Sequence, residues 1–388
     1  MTPTRYLHAS DIHGLARLSI DGVAGTSRLV EQLHASIAGF APPLGRGKDS
    51  RTRGITSLVY GTIRGVTSTV GATVDAVASP VLARLPRQDP SVEREHWLAA
   101  LNGVLGDHLA ASDNPLAIPM SFRLEGEGLI LQPSALAERV IEPSGKLLIA
   151  VHGLCLNDLR WQPNGENGAR RDGLPARLGR ALDHTPLYLH YNSGRRLADN
   201  GEEFARLLDA LVANWPVEVE SITILGHSMG GLVARYALDA GIDAGHAWTQ
   251  SLDRIVYLGT PHHGAPLERA GHRFESILDM SPYSAPFMKL GAMRSAGIID
   301  LRHGGLPIVN SGVEEFAIAA TARNRASSLP GGFNSDGLVP IDSALGRHPD
   351  PARDLKIPES RCRVVPGIGH LGLMHHPTVY RSLRRWLR

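Results

Sequence analysis

Residues 226–231 read GHSMGG, a serine among three glycines where a β-like run, SITIL, meets a helix-like run, GLVARYALDAG. So sharp a turn drives its tip residue toward strained φ/ψ, and small neighbours at Gly226, Gly230 and Gly231 let strand and helix pass closely. The tip would hold the Ser228 hydroxyl clear of the backbone, beside a helix start whose free N–H groups favour developing negative charge. That chemistry is nucleophilic catalysis, and Gly241 reads as the stop of the helix. A serine hydroxyl needs a base to take its proton and a third group to orient that base. Of 18 histidines, His370 has the right position, in the loop GIGHLGL between the last strand-like run and the final helix-like run TVYRSLRRWL. His375 and His376 lie nearer that helix and read as capping or packing residues, while His262 and His263 of LGTPHHG are expected to line or brace the site. For the acid, Asp336 and Asp342 of FNSDGLVPIDSA compete. Gly337 permits a tight turn that aims Asp336 inward, which favours Asp336. Donors for a tetrahedral oxyanion are expected from the backbone N–H of Met229, next to the nucleophile, and of Leu154 in HGLCLND, after the run LLIAV.

These residues need a scaffold that brings distant loops together. After residue 117, strand-like runs (121–131, 146–153, 186–192, 221–227, 254–260, 315–322 and 361–367) alternate with helix-like runs. Such alternation predicts an α/β fold, a mainly parallel twisted sheet with helices on both faces and its site beyond the carboxyl ends of the strands. Before residue 117 the pattern is helical. Apolar residues recur at helical spacing over 20–37 and 55–81, a third helix fits 92–110, and the breakers APPLGRGKDSRTRG and ASDNP separate these segments. The expected organisation is a helical N-terminal extension over 1–116 and an α/β domain over 117–388.

The chain has 388 residues, 43% hydrophobic and 20% charged, enough apolar material for a large core. Its 40 basic and 38 acidic residues nearly cancel, so no global field calls for nucleic acid. Cys155 and Cys362 are too few for a disulfide scaffold. The opening MTPTRYLHASDIHG lacks the uninterrupted apolar run of a signal peptide, and the chain reads as cytoplasmic. The most membrane-like stretch, 65–83, carries Asp75 near its middle, at a cost of about 2.5–3.5 kcal/mol at a bilayer centre. The N-terminal helices are expected to pack as a hairpin on the core near the site entrance, helping to form the acyl pocket; a basic loop with Arg46, Lys48, Arg51 and Arg53 makes a peripheral membrane contact the alternative. Metal-ligand spacing, phosphate cradles and dinucleotide fingerprints are absent from the sequence, and no cofactor is expected.

The segments GHSMGG, LGTPHHG, SDGLVP and GIGHLGL, with HG at the oxyanion loop, resemble those of the α/β-hydrolase superfamily over residues 119–388. Within it they are similar to the lipase and esterase groups and to enzymes related to GPI inositol-deacylases. The resemblance implies a carboxylic-ester hydrolase using Ser228, Asp336 and His370, acting on a small-molecule ester or lipid through an acyl-enzyme. A helical cap is expected over 265–312, where Met280, Met288 and Met293 fall beside Phe274, Tyr283 and Phe287 as an adaptable apolar wall. Substrate-binding positions are then expected at Leu154, His227, His262, Met280, Phe287 and Met288. The competing functions are acyl transfer by the same triad and a non-catalytic lipid- or partner-binding module on the hydrolase fold.

Overall fold

The computed structural model describes residues 10–11, 13–22, 91–162, 172–264, 295–303, 307, 312–322 and 335–388. Two compact units divide the chain, one formed by Met1–Arg94 with Ala111–Ala117 and the other by Glu95–Ala110 with Ile118–Arg388. In the first unit residues 13–22 are helical. The rest of the expected N-terminal helices over 20–37 and 55–81 lies outside the described residues, as do Met280, Phe287 and Met288 of the expected cap.

The second unit is built on an eight-stranded sheet. Its strands are β1 (Ser121–Leu124), β2 (Glu127–Gly128), β3 (Lys146–Val151), β4 (Thr185–His190), β5 (Ser221–His227), β6 (Leu252–Leu258), β7 (Glu314–Thr321) and β8 (Cys362–Pro366). They stand in the order β2-β1-β4-β3-β5-β6-β7-β8, antiparallel at β2-β1-β4 and parallel from β4 onward. Every strand-like run thus becomes a strand, with one correction. The run 121–131, expected as a single strand, folds back as a hairpin through Glu125 and Gly126, both at positive φ (56° and 88°), a pairing typical of two-residue hairpin turns.

The helices are α1 (Val92–Ala111), α2 (Pro133–Arg139), α3 (Leu174–Leu182), α4 (Leu197–Asn214), α5 (Met229–Asp243), α6 (Trp248–Ser251), α7 (Ala296–His303), α8 (Ile341–Ala344) and α9 (Pro377–Trp386). Central strands covered on both faces need apolar residues throughout, and β3 and β5 are buried along nearly their whole length. On one face Leu148, Ala150, Leu225, Val256 and Ile318 join Leu178 of α3 with Val379 and Leu383 of α9 in one apolar cluster. Alternate residues such as Ile149 and Ile224, paired in register across β3 and β5, point the other way. On that other side α4 and α5 approach closely because Gly201 leaves room for Tyr236 and the Ala237 backbone. Helix α5 runs past Gly241, the expected stop, and Gly245 at φ 67° follows its end. Gly241 serves packing instead, since a Cβ there would stand 2.5 Å from the Trp248 ring. Among the described residues no helix is long and apolar enough to cross a membrane.

Candidate active site

The strand order sets the location. From β3 the chain moves to β4 on one side, and it returns to place β5 on the other. The loops leaving the carboxyl ends of β3 and β5 therefore diverge and open a crevice between them. The first is the HGLCLND loop and the second carries Ser228.

Ser228 has φ 53° and ψ −125°, a conformation costly for a residue with a side chain, and α5 starts at the next residue. Neighbouring glycines make the turn feasible. A Cβ on Gly226 would stand 2.5 Å from Gly231 Cα, one on Gly230 would stand 2.6 Å from the His152 carbonyl oxygen, and one on Gly231 would overlap Thr260. The Ser228 N–H donates to the Leu258 carbonyl (2.9 Å), and its own carbonyl accepts from the Gly231 N–H (3.1 Å). Gly153 completes the close approach from β3, because a Cβ there would lie 2.9 Å from Ser228 Cβ.

The loop after β7 supplies Asp336 and the loop after β8 supplies His370. His370 Nδ1 lies 2.7 Å from Asp336 Oδ2, and both side chains are almost wholly buried. The other carboxylate oxygen of Asp336 accepts from the amides of Leu338 (2.9 Å) and Val339 (2.8 Å), in a turn that Gly337 enters at φ 101°. The His370 N–H donates to the Asp336 carbonyl at 3.1 Å, so side chain and backbone join the two loops together. With Nδ1–H given to the carboxylate, Nε2 is left as the lone-pair nitrogen, and it has no hydrogen-bond partner among the described residues. Asp342 instead lies in α8 with its side chain 79% exposed, 3.9 Å from Arg347. His376 accepts from the Thr378 N–H and caps α9.

Ser228 and His370 line one pocket together with Gly153, Leu154, Leu156, His227, Pro261, Leu301, Leu338 and Val339. No acceptor occurs among the described residues for the backbone N–H of Leu154 or Met229, the two expected oxyanion donors. His227, expected at the substrate, does line this pocket. His262 does not; it is buried edge-on to Tyr257, its ring centroid 4.5 Å away. Burial holds its imidazole well below the ordinary histidine range, assisted by the charges of Arg235 and His263.

The structure also shows what the sequence reading missed. Helix α1 lies under the HGLCLND loop, where Gly103 leaves space for Cys155 Sγ and the Cys155 backbone, and Gly106 leaves space for Asn192. Cys155 sits at φ 58°, its N–H bound to Ser193 Oγ (3.1 Å) and its thiol pushed up to about 12 by burial. Beside this loop Arg123 of β1 bridges Glu95 of α1 (2.7 Å) and Asp158 (3.2 Å), and His190 of β4 lies 3.2 Å from the same Asp158 oxygen. Burial alone would raise the Asp158 carboxyl, but the bonding and charge of His190, with Arg123, outweigh it and hold the group low. A helical glycine such as Gly103 is the one sequence signal for this arrangement. Both cysteines are free thiols.

Residues 192–285, from the end of β4 through the elbow, match the family model of the PGAP1-like alpha/beta domain. No curated protein sequence matches the chain. A Bacillus licheniformis lipase in its mature form is similar at 15% identity and a TM-score of 0.43, over 69% of this chain and 98% of its own. A Pyrococcus furiosus esterase is similar at 17% identity and a TM-score of 0.38, over 63% and 85%. A thermophilic esterase of Thermogutta terrifontis is similar at 16% identity and a TM-score of 0.36, over 70% and 93%. The parallel sheet order and the glycine-walled serine elbow are those of an α/β-hydrolase fold, and the match to the PGAP1-like alpha/beta domain runs across that elbow.

Proposed function

We propose that the protein is a serine carboxylic-ester hydrolase that works through an acyl-enzyme. The observation that carries this reading is the 2.7 Å hydrogen bond that His370 Nδ1–H donates to Asp336, with His370 in the same pocket as Ser228 on its strained turn. His370 Nε2 takes the Ser228 proton as Oγ attacks the ester carbonyl, and Asp336 stabilises the imidazolium that forms. The amides of Leu154 and Met229 receive the oxyanion; losing one such donor typically costs about 3–4 kcal/mol of barrier. The tetrahedral intermediate collapses as His370 returns the proton to the leaving alcohol. Water, deprotonated by the same nitrogen, then cleaves the acyl-enzyme and frees the carboxylic acid. Leu154, Leu156, Pro261, Leu301, Leu338 and Val339 present a mostly apolar wall, which suits an uncharged acyl group.

A fluorophosphonate probe tests this reading, since it traps an activated serine. The folded protein should label at Ser228, and Ser228→Ala should abolish both labelling and p-nitrophenyl ester turnover. Absence of label on the folded wild-type protein would remove the enzyme reading and leave a binding role for the pocket.

A further inference from the structure

Resting on the hydrolase reading, we propose that His227 is a positioning residue, which fixes the catalytic base by donating Nε2–H to the backbone carbonyl of His370. The two atoms are 3.2 Å apart, the rings 4.8 Å apart, and His227 is fully buried. A carbonyl can only accept, so Nε2 of His227 carries a proton. Nδ1 is buried and has no hydrogen-bond partner among the described residues. A second proton there would have no acceptor, which favours the neutral Nε2–H ring. Burial, with the charge of His370 next in weight, keeps the His227 imidazole well below its ordinary range. A neutral donor holds the loop without placing a second positive charge beside the imidazolium that forms on His370 during the reaction.

His370 is thereby tied at three points. Its N–H goes to the Asp336 carbonyl, its Nδ1–H to the Asp336 carboxylate and its carbonyl receives His227. Its ring also lies against the end of β6, where a Cβ on Gly259 would stand 3.1 Å from Cε1. Only the tie from His227 comes from β5, the strand whose next residue is the nucleophile. Two consecutive residues therefore register both reacting groups, Ser228 by presenting its hydroxyl and His227 by holding the base's backbone. Small errors in that register are costly, because proton transfer tolerates little displacement.

Gln and Met differ little in shape, but only Gln can donate from the position of Nε2, so His227→Gln and His227→Met form the test. With p-nitrophenyl esters, His227→Met should lose about 10- to 100-fold in kcat with KM within about threefold. His227→Gln should stay within about fivefold of wild type. Equal kcat for the two variants would overturn the proposal, as would a loss carried by KM, which would make His227 a substrate contact. If His227→Met does not fold, His227→Leu takes its place in the same comparison. Fluorophosphonate labelling of the wild type separates the two levels. An unlabelled wild type defeats the hydrolase reading itself, whereas a labelled wild type with equal Gln and Met variants defeats only the role of His227.

Discussion

Asp336 has both carboxylate oxygens engaged, one by His370 and the other by two backbone amides, so its orientation is fixed before any substrate arrives. An Asn at this position can satisfy the Leu338 and Val339 amides with its oxygen, but it then turns an NH2 group toward His370 Nδ1. That favours the tautomer protonated on Nε2, which has no lone pair there for the Ser228 proton. Asp336→Asn should therefore lower kcat by about 10³- to 10⁴-fold with the fold intact. Asp342→Asn changes an exposed side chain paired loosely with Arg347 and should stay within about twofold. Steady-state ester turnover of the two variants gives the order, and the reverse order would transfer the acid's role to Asp342.

The elements determine whether these residues meet. The proposed mechanism needs the HGLCLND loop to bring the Leu154 amide against the elbow, and α1 supports that loop from below through Gly103. A methyl at 103 overlaps Cys155 Sγ and comes within 2.9 Å of Cys155 Cα, in a residue already held at positive φ. Gly103→Ala should destabilise the protein by about 1–3 kcal/mol and lower kcat more than it raises KM. Adding Cys155→Ala should recover part of both losses, because it removes the overlapping sulfur; strict additivity of the two changes, measured by denaturation and turnover, would show that the loop is not under this pressure. The strands, the turn at Ser228 and the turn at Asp336 were legible in the sequence because local demands are strict there: apolar runs for buried strands, glycines around Ser228, Gly337 after Asp336. The sequence misled at 121–131 because a hairpin through Glu125 and Gly126 interrupts an otherwise strand-like pattern. It gave no sign of the Glu95, Arg123, Asp158 and His190 group, whose members come from α1, β1, the loop after β3 and β4. Contacts of that range leave no periodicity to read. His227 was legible as a pocket residue, but its bond to a carbonyl 143 residues away was not.

At the scale of the whole molecule, α1 decides what can fold alone. Eleven of its twenty residues are buried, on all sides of the helix, and Glu95–Ala110 belongs to the same compact unit as the sheet. A chain starting at residue 91 should remain folded, whereas one starting at residue 117 should be insoluble, since it loses the support of Cys155 and Asn192 and the partner of Arg123. Soluble expression with cooperative melting distinguishes the two, and a folded, active chain starting at 117 would show α1 to be dispensable. The same unit carries a liability toward acid. His152, His227 and His262 are wholly buried, each with at least one ring nitrogen that has no hydrogen-bond partner among the described residues. Burial lowers the His152 imidazole to about 3 and holds the other two well below their ordinary range. Unfolding restores all three to about 6.5, so below that pH the unfolded chain binds protons the folded one refuses, and stability falls as pH falls. Each histidine approaches about 1.4 kcal/mol per pH unit only well below 6.5; between pH 6.5 and 5.5 it contributes about 1 kcal/mol, roughly 3 kcal/mol for the three together. Above about pH 7.5 these groups are neutral in both states and the dependence should vanish. Urea midpoints at pH 8.5, 7.5 and 5.5 should therefore be level across the first interval and drop sharply across the second. His262→Phe keeps a ring against Tyr257 while removing one of these protons, and it should flatten the acid limb by about 1 kcal/mol between pH 6.5 and 5.5. An acid limb unchanged in that variant would mean that His262 is not a neutral buried group in the folded protein.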